Sequence, residues 1–282
     1  MTSTDPTSTD PTSDQIRHAW DAIAVRFDQF VTPTATDNAE LTLTHAPLGT
    51  GTRLLDVACG SGALAIPAAR AGATVTAVDI SPQMIELLST RARAAGLTVD
   101  ARVLDAHALD LPDDAFDVSV SQNGVTMSAR LGRCLTEMAR VTRPGGTVLV
   151  AAFGPLPAVE FLSMFFAGVR TAVPEFVGLP TDPPPPPFRV AAPQALAENL
   201  IEAGVRDVAV HQVSWDTPVA SADALWDEVT ASNPLGGQVV AGLDEGHRTE
   251  ALAVLDGMLR ERFGGSPGGV LRAAVNVAVG TA

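Results

Sequence analysis

From Thr52 onward, short apolar runs alternate with segments in which apolar residues recur every three or four positions. The short runs are typical of buried strands, and the longer repeats are typical of amphipathic helices. Repeated strand–helix units predict an α/β fold with a parallel sheet and helices on both faces. The predicted strands cover residues 53–59, 74–79, 99–104, 115–121, 147–153, 207–213 and 271–279.

Capping and helix-breaking residues set the expected ends of the helices. Asp14 and Ser81 are residue types that cap helix N-termini, and each precedes a helical pattern. Gly72 is typical of a helix C-terminus, and Pro144 stops another helix. The other predicted helices cover residues 63–71, 82–96, 131–143, 193–203, 222–231 and 243–263.

Three segments depart from this alternation. The polar repeat of residues 1–13 is interpreted as a disordered tail. Within residues 154–192, the apolar cluster Phe161–Phe166 favours a place in the core over a substrate cage. The five consecutive prolines Pro183–Pro187 predict a stiff, extended connector. A glycine-rich loop at 264–269 precedes the last strand.

Composition excludes several classes of function. The chain has 282 residues, is 46% hydrophobic and has a net charge of −14, so it can bury a core but disfavours nucleic acid as a partner. No stretch approaches a charge-free membrane span, and the N-terminus lacks the pattern of a signal peptide. We therefore expect a soluble, cytoplasmic protein.

The missing residue types narrow the chemistry further. All 18 basic residues are Arg, and Tyr is absent, which excludes a Schiff-base lysine, a P-loop lysine and Tyr–Lys dehydrogenase chemistry. Two cysteines, Cys59 and Cys134, cannot build a disulfide framework. The five histidines show no metal-ligand spacing, so no metal site is predicted.

Acidic residues end successive predicted strands. Asp56 ends the first strand before a small-residue turn in which Gly60 and Gly62 allow a ligand to approach the backbone. Asp79 ends the second strand, where an acid suits the two hydroxyls of a ribose, and Asp105 follows the third. An acid at the position of Asp56 suits a ligand with a positively charged amino group.

A dinucleotide site fits this turn poorly. The pattern G-x-G-x-x-G would need glycines at positions 58 and 63, where this chain has Ala58 and Ala63. A nicotinamide-dependent oxidoreductase is therefore disfavoured, and a non-catalytic protein that keeps the pocket is a further alternative.

Taken together, these segments resemble the class I S-adenosylmethionine-dependent methyltransferases, in particular the ubiquinone/menaquinone-biosynthesis type and related small-molecule enzymes. The resemblance covers residues 20–154 densely and the last strands more loosely. It rests on WDAIAVRFDQFVTP (20–33), LLDVACGSG (54–62), VTAVDIS (75–81), VLDAHALDLP (103–112), FDVSVSQNG (116–124) and RVTRPGGTVLV (140–150).

This resemblance implies a Rossmann-like, doubly wound fold with a mostly parallel seven-stranded sheet and an antiparallel last strand. A single methyltransferase domain would span residues 14–282, and helical insertions would cap the sheet. Its expected parts are an N-terminal helical lid (14–50), a cofactor-binding core (51–153), substrate caps (154–192 and 214–265) and the last core elements (193–213 and 270–282).

The resemblance also implies the residues that bind S-adenosylmethionine. Phe27 stands where relatives often have Tyr, and Thr32 is expected to replace the lost hydrogen bond. The expected methionine end is formed by Asp56, Ala58, Gly60 and Gly62, and Cys59 is counted with the cofactor-binding residues as a small residue packed in the same turn. The ribose and adenine end is formed by Asp79, Ile80, Met84, Asp105 and Ala106, and the sulfonium end by Gln122 and Asn123.

The expected activity is methyl transfer to a small, largely apolar or aromatic acceptor, as a step of biosynthesis in secondary metabolism. The alternative is a protein of this fold that uses the bound cofactor as a scaffold for a reaction such as cyclisation. A homodimer is compatible with the sequence. The sequence ranks no catalytic base among His18, His107, Glu160, Asp216 and Asp227.

Overall fold

The computed structural model describes residues 11–176, 178–232, 237 and 239–282, and within them seven strands form one sheet. The strands are Arg53–Val57 (β1), Thr74–Asp79 (β2), Val99–Val103 (β3), Phe116–Gln122 (β4), Thr142–Phe153 (β5), Arg206–Val219 (β6) and Gly269–Thr281 (β7). Their order across the sheet is β3-β2-β1-β4-β5-β7-β6. Neighbours among β1 to β5 pair in parallel, whereas β7 is antiparallel to both β5 and β6. The predicted doubly wound sheet with an antiparallel last strand is confirmed.

Helices cover both faces of this sheet. They are Ser13–Phe30 (α1), Thr32–Leu43 (α2), Ala65–Arg70 (α3), Pro82–Ala94 (α4), Leu131–Val141 (α5), Glu160–Ala172 (α6), Pro186–Arg189 (α7), Pro193–Glu202 (α8), Ala222–Ser232 (α9) and Glu245–Arg262 (α10). No helix in the described parts of the chain is both long and apolar enough to cross a bilayer.

Successive strand residues point to opposite faces, which gives the molecule two apolar layers. Leu54 belongs to one layer with residues of α3, α4, α6, α9 and α10, and Leu55 belongs to the other with residues of α5 and α8. The first layer contains Phe161 and Phe165, so these members of the apolar cluster lie in the core, as predicted.

β6 is longer than predicted. The strand does not end at Val213 but continues to Val219, pairing with β7 from Ala274 back to Gly269. Residues 214–219 therefore belong to the sheet, although we expected them in a cap. The alternation of buried Trp215 and Thr217 with exposed neighbours is the period-two pattern that signals a strand.

β5 also begins earlier than predicted. Pro144 was expected to stop the preceding helix, but α5 already ends at Val141, and Thr142 pairs with Phe116. The next paired residue is Thr147, so residues 143–146 are bypassed by the ladder. A proline has no N–H for that ladder, which explains the irregularity.

The ends of the first helix and of the proline run also differ from expectation. Thr12, not Asp14, caps α1, through a reciprocal pair of hydrogen bonds with Gln15. The predicted tail of residues 1–13 lies outside the described residues up to residue 10, and its last residue, Ser13, begins α1. The last two prolines of the run, 186 and 187, begin α7 instead of continuing the extended connector.

Candidate functional site

The carboxyl ends of neighbouring strands bring the predicted site residues to one edge of the sheet. Asp56 lies in β1, Asp79 ends β2, and Asp105 follows β3 by two positions. Gln122 ends β4 on the other side of β1. Carboxyl ends of parallel strands are where ligands bind in open α/β sheets.

Of the three strand-end acids, Asp56 is the most buried and has the fewest hydrogen-bond partners among the described residues. It is 1% exposed, and its Oδ2 atom has no hydrogen-bond partner among the described residues. Burial, aided by the nearby Asp79 carboxylate, raises the pKa of Asp56 to about 8, although the Ala65 backbone N–H donates to it. A buried carboxyl with a raised pKa and a free oxygen is suited to pair with a cationic ligand group.

Asp79 holds the turn that follows Asp56. Its Oδ2 accepts from the Gly60 N–H at 2.9 Å, and its Oδ1 accepts from the Ser81 N–H at 2.9 Å. Burial raises the pKa of Asp79, and these backbone hydrogen bonds act in the opposite direction. Each carboxylate oxygen keeps further acceptor capacity for a ligand hydroxyl.

The turn itself depends on unusual backbone conformations. Ala58, Gly60 and Gly62 have φ values of 55°, 54° and 93°, in the left-handed region. A Cβ on Gly62 would collide with the Leu88 side chain, so glycine is required there. The Ala58 conformation is one that alanine rarely adopts, and such outliers cluster at ligand-binding sites.

The two helices α1 and α2 cover this turn. A Cβ built on Gly60 would lie 3.3 Å from Phe27 Cε1, so the Phe27 ring packs over the turn. The buried Thr32 hydroxyl lies 2.7 Å from the Ser61 hydroxyl. Ser81 Oγ donates to Asp21 Oδ1 at 2.5 Å, which ties α1 to the start of α4.

Asp105 is already engaged by protein groups. Its Oδ2 accepts from Ser13 Oγ at 2.6 Å, and its Oδ1 accepts from the backbone N–H of His107 and lies 2.6 Å from His107 Nδ1. His107 Nε2 in turn lies 2.7 Å from Ser128 Oγ. The hydrogen bond with Asp105 raises the pKa of His107 to about 9, and the same bond holds the pKa of Asp105 well below its usual range. This pair is therefore ionised at neutral pH.

A second set of buried polar atoms lies at the end of β4. Gln122 Nε2 donates to the Ala35 carbonyl at 2.9 Å, but Gln122 Oε1 has no partner. Asn123, with a φ of 54°, has an unpartnered Oδ1, and Thr126 has an unpartnered Oγ1. Because buried polar atoms are normally satisfied, unpartnered oxygens together indicate a place for a polar ligand. These absences refer to the residues that the structure describes.

The other predicted site residues lie along the same edge. Cys59 is buried in the turn, where its Sγ donates to the Gly60 carbonyl. Met84 is buried in the first turn of α4. Ile80 and Ala106 are half-buried next to Asp79 and Asp105.

The acids considered as catalytic bases are mostly occupied elsewhere. Glu160 accepts from Arg262 Nε and from the Arg272 backbone N–H, and Asp227 accepts from Arg26. His18 is exposed, and Asp216 lies 3.9 Å from Arg272 Nε. Glu228 of α9 is half-buried, and burial raises its pKa to about 7.

Sequence reasoning missed several side chains that complete the site. Ser13, Asp21, Ser61 and Ser128 each hydrogen-bond a predicted site residue or its immediate neighbour. Ser61 and Asp21 lie inside segments that the sequence analysis quotes, 54–62 and 20–33, whereas no spacing in the sequence marks Ser13 and Ser128. Across the described ranges, no three His, Cys, Asp or Glu side chains group closely enough to hold a metal ion.

Comparison with known protein sequences finds a family match over the segment that contains most of these site residues. Residues 55–150 match a family model described as a methyltransferase domain. The chain is 41% identical over 108 residues to the uncharacterized protein Rv1405c of Mycobacterium tuberculosis, a match covering 38% of this chain and 39% of the relative. It is 37% identical over 123 residues to a ubiquinone biosynthesis O-methyltransferase of Agrobacterium fabrum, covering 44% and 49%. The chain thus spans less than half the length of these relatives.

Solved structures match nearly the whole chain at low identity, which shows the fold. The cyclase SpnF superposes with a TM-score of 0.57 at 19% identity, covering 96% of this chain and 97% of SpnF. A Haemonchus contortus phosphoethanolamine N-methyltransferase 2, solved with S-adenosyl-L-methionine, has a TM-score of 0.55 at 18% identity. That match covers 96% of this chain and 57% of the other.

Proposed function

We propose that this protein is a class I S-adenosylmethionine-dependent methyltransferase that transfers a methyl group to a small molecule, because residues 55–150 match a family model described as a methyltransferase domain. The observation that carries the proposal is Asp56, a buried carboxyl with an unpartnered oxygen beside a turn of left-handed residues. The α-ammonium group of S-adenosylmethionine is a cation that could pair with this carboxyl. A biosynthetic role, a cytoplasmic location and a homodimer stay predictions.

In this proposal the parts of the cofactor are divided along the sheet edge. Asp56 and the turn hold the methionine part, and Asp79 accepts from the ribose hydroxyls. The Asp105–His107 pair would lie at the adenine end. Because Asp105 is already hydrogen-bonded to Ser13 and His107, we propose that it stabilises the wall of the pocket. The remaining predicted contacts are Phe27, Thr32, Ala58, Cys59, Gly60, Gly62, Ile80, Met84, Ala106, Gln122 and Asn123.

The cofactor supplies a methyl group on a sulfonium, which is already electrophilic. The task of the chain is therefore to orient the acceptor and to exclude water. Phe27 packs on Gly60 and Thr32 contacts Ser61, so both cover the turn. The oxygens of Gln122, Asn123 and Thr126, which have no partner among the described residues, provide a polar wall with partial negative charge. Such a wall favours a cationic group over a neutral one. No residue is assigned as a catalytic base.

We propose that the acceptor is largely apolar or aromatic and lies near the extended end of β6. Phe153 packs edge-on against Phe161 and Trp215, with ring centroids 5.7 and 5.8 Å apart. Trp215 is 4% exposed, and its Nε1–H has no acceptor among the described residues. An aromatic wall with one free donor suits an apolar molecule that carries an oxygen. Residues 154–192 and 220–265 would cover it.

Calorimetric titration with S-adenosylmethionine tests the cofactor assignment. Asp56→Asn keeps the shape of the side chain but removes its charge, and Asp79→Ala removes the ribose acceptor. We expect each to weaken binding by about tenfold or more, since a charge-assisted hydrogen bond contributes about 1.5–3 kcal/mol. Asp100→Asn, at an exposed ion pair with Arg102, is the matched control and should bind as wild type does. Absence of binding to the intact protein would refute the proposal.

The second candidate keeps the cofactor but not methyl transfer. It is supported by the fold likeness to SpnF, which is a cyclase. Incubation of acceptor candidates with methyl-labelled cofactor separates the two functions. A labelled product supports the methyltransferase, whereas an unlabelled product formed only in the presence of cofactor supports the scaffold function.

A further inference from the structure

A cavity of about 340 Å³ lies beside the site described above, between the start of α5 and the segment that contains α7 and α8. Its volume is within the range of small-ligand pockets, roughly 300–1,000 Å³. It is lined by Ser128, Ala129, Arg130, Leu131, Gly132, Arg133, Pro186, Arg189, Val190 and Asn199.

The charge of this cavity is opposite to that of the protein. Three arginines, Arg130, Arg133 and Arg189, line it without any Asp or Glu among the lining residues, although the chain carries a net charge of −14. Within the described part of the chain, none of the three forms an ion pair with a carboxylate. By contrast, Arg53 and Arg143 each pair with Asp117. The cavity therefore gathers three arginines that no carboxylate of the described residues contacts at ion-pair distance, although the charge of Arg133 is felt by Glu137.

Uncharged polar groups also line the cavity beside the three arginines. Leu131 and Gly132, the first two residues of α5, line the cavity, and no side chain caps this helix. A helix start adds partial positive charge to a site that already holds cationic groups. The Ser128 hydroxyl and the Asn199 amide lie in the same wall.

We propose that this cavity binds the phosphate group of a phosphorylated small molecule. Arginine presents a fork of donors that matches phosphate geometry, and a dianion gains more than a monoanionic carboxylate from several positive charges. The proposal goes beyond methyl transfer, because nothing in it requires the cofactor. The phosphate belongs either to the methyl acceptor or to a separate effector, and both present the same group to the arginines.

The cavity is connected to the proposed cofactor site by hydrogen bonds. Arg133 Nε donates to the His107 carbonyl at 2.7 Å, and Ser128 Oγ lies 2.7 Å from His107 Nε2. His107 is bonded to Asp105 at the adenine end of the proposed site. A ligand that draws Arg133 or Ser128 toward itself would therefore act on the Asp105–His107 pair.

Titration of the full-length, cofactor-free protein with inorganic phosphate in low-salt buffer tests the site directly, by calorimetry or by phosphorus NMR. We expect saturable binding that Arg130→Gln and Arg189→Gln each weaken roughly tenfold, as expected for loss of one charge-assisted contact. Arg133 is left unchanged because it also holds the His107 carbonyl. The matched control is Arg93→Gln, because Arg93 is the single arginine that lines a separate surface cavity. This substitution should leave phosphate binding intact.

The proposal is overturned if phosphate does not bind, if Arg93→Gln weakens binding as much as the cavity variants do, or if acetate binds as tightly as phosphate. Because the titration contains no cofactor, its failure is distinct from failure of the proposed methyl transfer. The source of the phosphate is then separated by repeating the cofactor titration with saturating phosphate. A changed affinity for S-adenosylmethionine assigns the phosphate to an effector, and an unchanged affinity assigns it to the methyl acceptor.

Discussion

At the scale of single residues, Asp56 is the group whose ionisation a ligand would change most. Its burial and the neighbouring Asp79 raise its pKa to about 8, so the carboxyl of the free protein is mostly protonated at neutral pH. Asp79, by contrast, is held by two backbone N–H groups, and Asp105 by Ser13 and His107. The three acids that look equivalent in the sequence therefore have different environments and different parts in binding.

The raised pKa of Asp56 predicts that cofactor binding depends on pH. Pairing with an ammonium group requires the carboxylate, so binding releases a proton wherever the free protein holds one. The association constant should rise with pH, by up to about tenfold per unit, until it levels near the free-protein pKa of about 8. Calorimetry in buffers of different ionisation enthalpy measures the released proton.

Asp56→Asn is the control for this pH dependence, because its amide does not titrate. The variant should bind more weakly and with a flatter pH profile. A wild-type profile that matches that of Asp56→Asn would show that another group controls binding.

At the scale of helices and strands, one hydroxyl joins two elements of the site. Ser81 is fully buried; its Oγ accepts from the Met84 N–H at 3.1 Å to cap α4 and donates to Asp21 of α1. Thr12 makes a comparable cap on α1, but at an exposed position. The two caps are chemically similar, but only the Ser81 hydroxyl also donates a hydrogen bond to Asp21.

Ser81→Ala should therefore destabilise the protein more than Thr12→Ala does. Loss of an N-cap costs about 1 kcal/mol, and loss of the charged hydrogen bond to Asp21 costs about 1–2 kcal/mol in addition. Urea unfolding of both variants measures the difference, with Thr12→Ala serving as the matched cap-only control. Equal losses of stability would show that the Ser81–Asp21 bond contributes nothing.

At the scale of the whole molecule, the N-terminal helices α1 and α2 make several of their contacts with the core through residues of the proposed site. The attachments are Ser13 to Asp105, Asp21 to Ser81, and Thr32 to Ser61, with Phe27 packed over Gly60. Both helices thus contact the edge of the sheet that carries the strand-end acids. Helix α2 also reaches β6, because Asn38 Nδ2 donates to the Asp216 carbonyl at 3.0 Å.

Hydrogen exchange should report these contacts. With S-adenosylhomocysteine bound, the amides of α1, α2 and the turn at 58–62 should exchange more slowly, because local opening of the lid then requires ligand release. Amides paired between β6 and β7 near Arg206 and Ala209, away from the contact of Asn38 with Asp216, serve as the internal reference and should change little. Uniform protection across the sheet would contradict a lid that closes over the site.

Much of the fold could be predicted from the sequence because local patterns report local burial. The apolar runs located all seven strands, and the cap at Ser81 marked the start of α4. At β5 context outweighed the pattern, because Thr142 joins the strand across a Pro-Gly-Gly segment. At β6 the alternation of residues 214–219 already indicated a strand, and the predicted boundary at Val213 was too early.

The sequence alone determined that acids end successive parallel strands, and a parallel sheet must bring such ends to one edge. It did not determine which of these acids is free, because that depends on partners far away in the chain. Ser13 reaches Asp105 across 92 residues, and the arginine cavity joins residues 128–133 to 186–190 and Asn199. Hydrophobic periodicity reports which face of a helix or strand is buried, but it does not report which other element that face contacts. Contacts between distant elements form only when those elements pack, so tertiary structure alone decided these partners.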